Sequence, residues 1–365
     1  MLQQAIGEAH FLLIGEDHGT AEIPLFASGL CDIAVPQGFH IMGIETGALA
    51  GQQLQRWLED GKYTGLAEFE KSYPLSLAFY NMRQEYDMLH HCSADASPAK
   101  FQLWGLDQEF VGSPKLILDQ ILKTKPGAEA AAQVRSLLHK NDEAYAKALK
   151  SGSFSDLFIE TASEKDLENL NRLLVTQGNA ESRELAHELL QSSEIYRLFS
   201  KGLGGESNRK RSLAMKERFF RNYFQSAKGG PVPKVILKFG AFHMFKGFNP
   251  LHNNDLGNYV TELADGSGLK SLHILVLGVK GTKLQVEKVS GAEGTVPFDL
   301  NNEDHRLGFK PMLNLVLDHG WTLFDLRGLR KNFHSSDVEK DVERLIFGYD
   351  FVLLIPRVTA ASQIQ

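Results

Sequence analysis

Three short apolar runs in the N-terminal part of the chain each end on a carboxylate, and each is followed by a stretch of helical periodicity. They are Phe11-Leu12-Leu13-Ile14 running to Glu16, Phe39-His40-Ile41-Met42-Gly43-Ile44 running to Glu45, and Phe101-Gln102-Leu103-Trp104-Gly105-Leu106 running to Asp107. Strands that alternate with helices along a chain are joined by crossovers, so this rhythm predicts a parallel sheet. In an open parallel sheet the ligand crevice lies just beyond the carboxyl ends of the strands. Three carboxylates arriving there independently therefore predict one shared site.

Beyond this region the pattern changes. From about Ser113 to Ala227 long helical stretches dominate, among them Ala128 to Lys150, Glu164 to Gln177 and Glu181 to Lys201, with polar faces that read as solvated surface. Gly202-Leu203-Gly204-Gly205 breaks the last of these, and Glu206 to Gln225 begins another helix. Strand character returns at Val235 to Phe239, Leu272 to Leu277, Thr322 to Phe324 and Phe351 to Leu354, while Asn249 to Gly257 and Ser290 to Pro297 read as surface loops. The expectation is an α/β fold with a mainly parallel central sheet, helices on both faces and a large helical insertion. Residues 1–112 and 228–365 form two parts of one α/β core, and 113–227 the insertion or subdomain between them.

Composition narrows the function classes. With 43% hydrophobic and 23% charged residues the chain can bury a sizeable core, and its formal net charge of -6 offers no field for nucleic acid or an anionic membrane. No window approaches the roughly 20 apolar residues of a membrane-spanning helix. The expected partner is a small-molecule substrate, and oligomeric state is not legible. Localisation follows the start of the chain: cytoplasmic if Met1 is the native start, periplasmic or secreted if a signal segment has been removed. Cys31 and Cys92 lack metal-ligand spacing, so core packing is the first reading and a bridge between them is left open.

The chemistry concentrates in Gly15-Glu16-Asp17-His18-Gly19-Thr20. On extended backbone Glu16 and His18 project from the same face, and a carboxylate beside an imidazole orients it and stabilises the imidazolium formed when a water proton is taken. Taken alone, Glu16 is equally a turn cap and His18 a packed edge residue. The case is strengthened by Glu45 closing its own strand and by Gly240-Ala241-Phe242-His243-Met244, which places His243 just after a later strand.

These segments, together with Ile44-Glu45, Trp104-Gly105-Leu106-Asp107, Arg211-Ser212-Leu213-Ala214-Met215, Lys238-Phe239-Gly240-Ala241-Phe242-His243 and Tyr349-Asp350-Phe351-Val352-Leu353-Leu354, occur in an order that resembles the erythromycin-esterase-like superfamily. The resemblance implies a hydrolase in which a histidine activates water for attack on an ester or lactone. It assigns the base to His18, support to Glu16, Glu45 and His243, and a site-facing position to Arg211. Asp107 and Arg83 join the expected substrate contacts, the latter from Phe79-Tyr80-Asn81-Met82-Arg83-Gln84-Glu85-Tyr86, which has partial similarity to the family's cleft helix.

One departure separates the chain from the esterases. They place two residues between the glutamate and histidine of the first motif, whereas here only Asp17 intervenes. The shorter form is similar to haem-binding ChaN-like proteins and approaches the motif of Tiki-type metalloproteases. The primary expectation is catalysis without a cofactor. The first alternative is a divalent metal such as zinc or manganese on Glu16, His18, Glu45 and His243; haem on His18 ranks below it. The helical insertion is expected to roof the cleft.

Overall fold

A computed structural model of the protein describes the 365-residue chain except for residues 61–64, 97–100, 229, 287–288, 290–292, 303–306, 332, 335–337 and 365. The strands are β1 (Phe11–Glu16), β2 (Phe39–Gly47), β3 (Gln102–Asp107), β4 (Lys234–Gly240), β5 (Ser271–Val286), β6 (Glu293–Asp299), β7 (Thr322–Asp325) and β8 (Phe351–Val358). They form a sheet of order β3-β2-β4-β1-β5-β8-β7, with β6 paired to β5. All pairings among β3, β2, β4, β1, β5 and β8 are parallel, and those of β6 with β5 and β7 with β8 are antiparallel. The protein is thus an α/β fold on a mainly parallel sheet.

Each residue of β1 is buried. Because successive side chains of a strand point to opposite faces, this requires cover on both sides of the sheet. Its neighbours β4 and β5 arrive from the later part of the sequence, and β4 is inserted between β1 and β2. The strand ends that carry the candidate residues are therefore brought together by interleaving the first and last parts of the chain.

The helices Ser113–Lys123, Ala128–Ser151, Glu164–Gln177 and Ala180–Ser200 surround a second apolar cluster that includes Ile117, Ile121, Val134, Leu137, Leu170, Leu174 and Leu189. The Gly204–Ser226 helix joins this cluster to the sheet. Its Met215, Phe219 and Tyr223 belong to the core of the sheet, with Phe219 edge-on to Phe11, while its buried Arg218 pairs with Glu188 of the preceding helix.

Three expectations need correction. Residues 293–299 are a strand, not a loop: β6 pairs with the extension of β5 from Lys280 to Val286. Pro297 hid this strand, but β6 pairs with β5 alone and an edge tolerates a proline; Ser290 and its two successors lie outside the described residues. The segment from Asn249 is a loop only as far as Asp255, and both of these residues are buried, since Asp255 caps the Leu256–Gly266 helix through Leu256 N–H at 2.8 Å. Cys31 and Cys92 are buried, yet they are bonded to each other as a disulfide rather than merely packed.

That disulfide ties the Glu22–Ala34 helix to the Arg83–Asp95 helix across a sequence separation of 61. Closing a loop of this size restrains the unfolded chain by about 4 kcal/mol on the chain-entropy account. Reduction, or Cys92→Ala, is expected to lower stability by roughly 2–5 kcal/mol. Urea unfolding with and without reductant measures this, and coincident curves would show that the bridge does not stabilise the fold.

Candidate active site

Glu16 ends β1, and His18 follows on the exit turn with its Nδ1 at 2.8 Å from Glu16 Oε1. The imidazole lies flat against Phe79, with ring centroids 3.7 Å apart and planes 8° apart. Glu45 comes from an irregular place in β2. Ile44 pairs with Gly105 and Gly47 with Asp107, so Glu45 and Thr46 together oppose Leu106. Such a bulge re-aims a side chain, and here Glu45 Oε2 stands 3.3 Å from His18 Nε2.

Gly240, at the end of β4, lies beneath this pair. Its N–H donates to Glu45 Oε2 at 2.5 Å, and a Cβ there would stand 3.1 Å from His18 Nε2 and 3.3 Å from Glu45 Oε2. Only glycine lets the backbone approach this closely without crowding the two groups. On the other side of Glu45, His243 Nε2 is 3.6 Å from Oε1, and His243 Nδ1 bonds Asp255 Oδ2 at 2.9 Å. The site thus contains two carboxylate-oriented imidazoles, His18 on Glu16 and His243 on Asp255, with Glu45 between their Nε2 atoms.

Two fixed cations complete the arrangement. Lys238, alternating inward from β4, has 0% side-chain exposure and donates to Glu16 Oε1 at 2.5 Å and to Glu85 at 2.8 and 2.9 Å. Arg211 donates to Glu45 Oε1 at 2.7 Å and grips Asp107 through Nε at 2.9 Å and through Nη2.

The protonation states follow from these contacts. Burial disfavours the His18 imidazolium, but the Glu45 charge and the hydrogen bonds to Glu16 and Glu45 outweigh it and raise the pKa to about 10. Burial likewise opposes the charge on Glu45, whose carboxyl is nevertheless held well below the usual range by His18, His243 and Arg211. His243 is raised because Asp255 more than offsets burial. Glu85 is pushed up to about 7, first by burial and then by the like charge of Glu16, with which it shares Lys238.

A cavity of about 220 Å³ opens on Glu16, Asp17, His18, Glu45, Gly240 and His243. Its remaining wall is apolar, from Ala241, Phe242, Leu251, Leu277, Leu307 and Phe309. Among the described residues, none of 113–227 lines it, so the helical insertion does not roof this cavity as expected. Residues after β4 and before β7 do so instead. The insertion contributes Arg211, which reaches Glu45 from outside the lining.

The structure brings together Glu16, His18, Glu45 and His243, and it places Asp107 and Arg211 as a pair behind Glu45. Arg83 is not among the lining residues: its side chain is 63% exposed and pairs with Asp87 one helical turn away. Lys238, Asp255 and Phe79 were not anticipated as site residues. A lysine inside the apolar run of β4 was the available signal for Lys238, and an aspartate just before a helix-forming stretch was the signal for Asp255; nothing in the sequence marked Phe79 as the partner of His18. Among the described residues, no group of three or more His, Cys, Asp and Glu is disposed to hold a metal ion.

No family model and no curated protein matches the chain in sequence. In structure it is similar to a histidine-to-asparagine mutant of the erythromycin esterase EreC in its open conformation, with a TM-score of 0.65 and 17% identity over 98% of this chain and 93% of that one. The chain has an erythromycin-esterase-like fold. A Bacillus cereus protein of solved structure superposes with a TM-score of 0.63 and 16% identity, over 100% of this chain and 92% of its own. A succinoglycan biosynthesis protein does so at 0.61 and 17%, over 99% and 91%. Likeness at this identity concerns the fold.

The shared cation gives a test with a defined sign. The folded-state pKa of Glu85 lies above the ordinary 4.5, so its contribution favours the folded state at acid pH and is lost as pH rises from 4.5 to about 7. Glu85→Gln removes this loss. The stability of the variant relative to the native protein, from urea unfolding across that window, is expected to improve as pH rises; a constant difference would show that Glu85 ionises normally.

Proposed function

We propose that the protein is a hydrolase of small-molecule esters or lactones, with His18 as general base. The observation that carries this reading is the His18 ring, held by Glu16 at Nδ1, with Nε2 beside Glu45 at the cavity. When Glu16 accepts Nδ1–H, the neutral ring presents its lone pair at Nε2, the tautomer a base needs. Water held at Nε2 gives up its proton as it attacks the ester carbonyl, and the imidazolium so formed is the state that the flanking carboxylates favour. His243, oriented by Asp255 and raised toward its charged form, then supplies a proton to the departing alkoxide. Arg211, committed to Asp107 and Glu45, neutralises Glu45 rather than reaching the substrate oxygen.

The reading requires no metal. Lys238 and Arg211 already occupy the carboxylates that would ligate a divalent cation, and Gly240 N–H takes a further position on Glu45. Ester turnover is therefore expected to survive thorough chelation, and recovery of lost activity by zinc or manganese would overturn this part of the proposal.

The pH dependence follows from the raised pKa. A base works only when deprotonated, so kcat/KM for an ester with a nitrophenolate leaving group, which departs without a proton from His243, is expected to rise with pH through about 10, with a small active fraction at neutrality. His18→Asn is expected to reduce kcat by about 10²–10⁴-fold and abolish the limb. An unchanged kcat in folded His18→Asn protein would exclude His18 as the base, and a limb at the ordinary histidine value would show that the carboxylates do not control it.

A further inference from the structure

The segment after β8 runs across two loops that are distant in sequence. At one end, Ala21 N–H donates to Thr359 O at 2.9 Å, Ala361 N–H to Gly19 O at 2.9 Å, and Thr359 N–H and Oγ1 to the Glu22 carboxylate at 2.9 and 2.8 Å. At the other, Arg83 N–H donates to Ser362 O at 2.7 Å, Ile364 N–H to Asn81 O at 3.1 Å, and Ser362 N–H to Gln84 Oε1 at 2.9 Å. Antiparallel bridges Thr20 to Ala360 and Met82 to Gln363 register both ends. At the first end Ala360 N–H also donates to Thr282 Oγ1 of β5 at 3.0 Å, anchoring the segment to the sheet.

The two loops joined in this way carry two rings in contact. His18 immediately precedes Gly19, and Phe79 lies just before Asn81 and Met82. The His18 turn has a second restraint: Gly19 has φ +92°, and Leu284 N–H donates to its carbonyl at 2.7 Å. The Phe79 segment begins at Ala78, a non-glycine residue with φ +50°, a conformation that persists only where surroundings impose it.

We propose that Thr359–Ile364 is a positioning strap for His18, fixing the spacing between the His18 turn and the Phe79 segment so that the imidazole stays stacked on Phe79 and directed at Glu16 and Glu45. None of the strap residues lines the cavity, so the strap acts through His18 and not on substrate. Its effect on turnover rests on the hydrolase reading; its effect on the His18 ring does not.

The ring's titration reports the strap directly. His18 meets Glu16 and Glu45 at its nitrogens, with Lys238 and Glu85 behind Glu16, Arg211 and His243 beside Glu45, and Asp17 with its partner Lys283 on the turn. Releasing the turn draws the ring from these groups, so its midpoint moves from about 10 toward the ordinary 6.5. Two variants weaken opposite ends: Ala361→Pro removes the donor to Gly19, and Gln84→Met removes the acceptor for Ser362 N–H. Circular dichroism and Tm establish folding, and imidazole NMR titration, with His18 assigned by its loss in His18→Gln, gives the midpoint.

The expected result is folded protein whose His18 midpoint falls by about one unit or more, with kcat reduced about tenfold or more and KM changed less. An unmoved midpoint in both variants would overturn the proposal, and if Ala361→Pro fails to fold, Gln84→Met decides alone. Shifted midpoints in a protein whose native form hydrolyses no ester would remove the hydrolase reading and leave the strap standing.

Discussion

Lys238 is a fully buried cation, and such a charge is tolerable only where carboxylates surround it. Its partners Glu16 and Glu85 begin a line of alternating charge that crosses the carboxyl edge of the sheet. From Glu85 it passes through Lys238, Glu16, His18, Glu45 and Arg211 to Asp107, with His243 and Asp255 branching from Glu45. Each member faces a neighbour of opposite charge, although Glu16 Oε2 is buried without a hydrogen-bond partner among the described residues, so removing one leaves a buried charge uncompensated. The same line spans β4, β1, β2 and β3, and the positions of the strand ends and the protonation of the histidines are thereby one electrostatic problem.

The division of the cavity follows from this. Its polar side is made by Glu16, Glu45 and Gly240 on the strands and by Asp17, His18 and His243 on the turns that leave them. Its apolar side is made by Phe242, Leu251, Leu277, Leu307 and Phe309, four of them on connecting segments and Leu277 on β5. Polar groups are thus placed at or just beyond the carboxyl ends of the strands and most of the apolar wall on longer connections, which is where an open parallel sheet forms its crevice.

Much of the sheet was legible because its strands are apolar runs ended by polar residues, a local pattern. That Glu16, His18, Glu45 and His243 meet was legible for the same reason, since parallel strands deliver their ends to one edge. What escaped depends on distant partners. Lys238 is intelligible only from Glu16 and Glu85 around it, and Asp255, within a segment read as loop, only from His243 beside it. Pro297 obscured β6 because tolerance for proline depends on whether a strand lies at an edge. Arg83 shares a helix with Glu85, two positions on, yet faces solvent while Glu85 is buried; composition alone could not separate them.

The interleaved strand order bears on how the chain reaches this state. β1 pairs only with β4 and β5, and β2 reaches β1 only through β4, so β1 has no direct pairing with either of the other N-terminal strands, β2 and β3. Lys238 meets Glu85 and Glu16 across separations of 153 and 222 residues. While the first half of the chain is emerging from a ribosome, its central strand lacks both neighbours, and Glu16 and Glu85 lack their cation. Native order in this region must wait for the late strands, a long-range closure that slows folding and leaves apolar strand edges exposed in the interval.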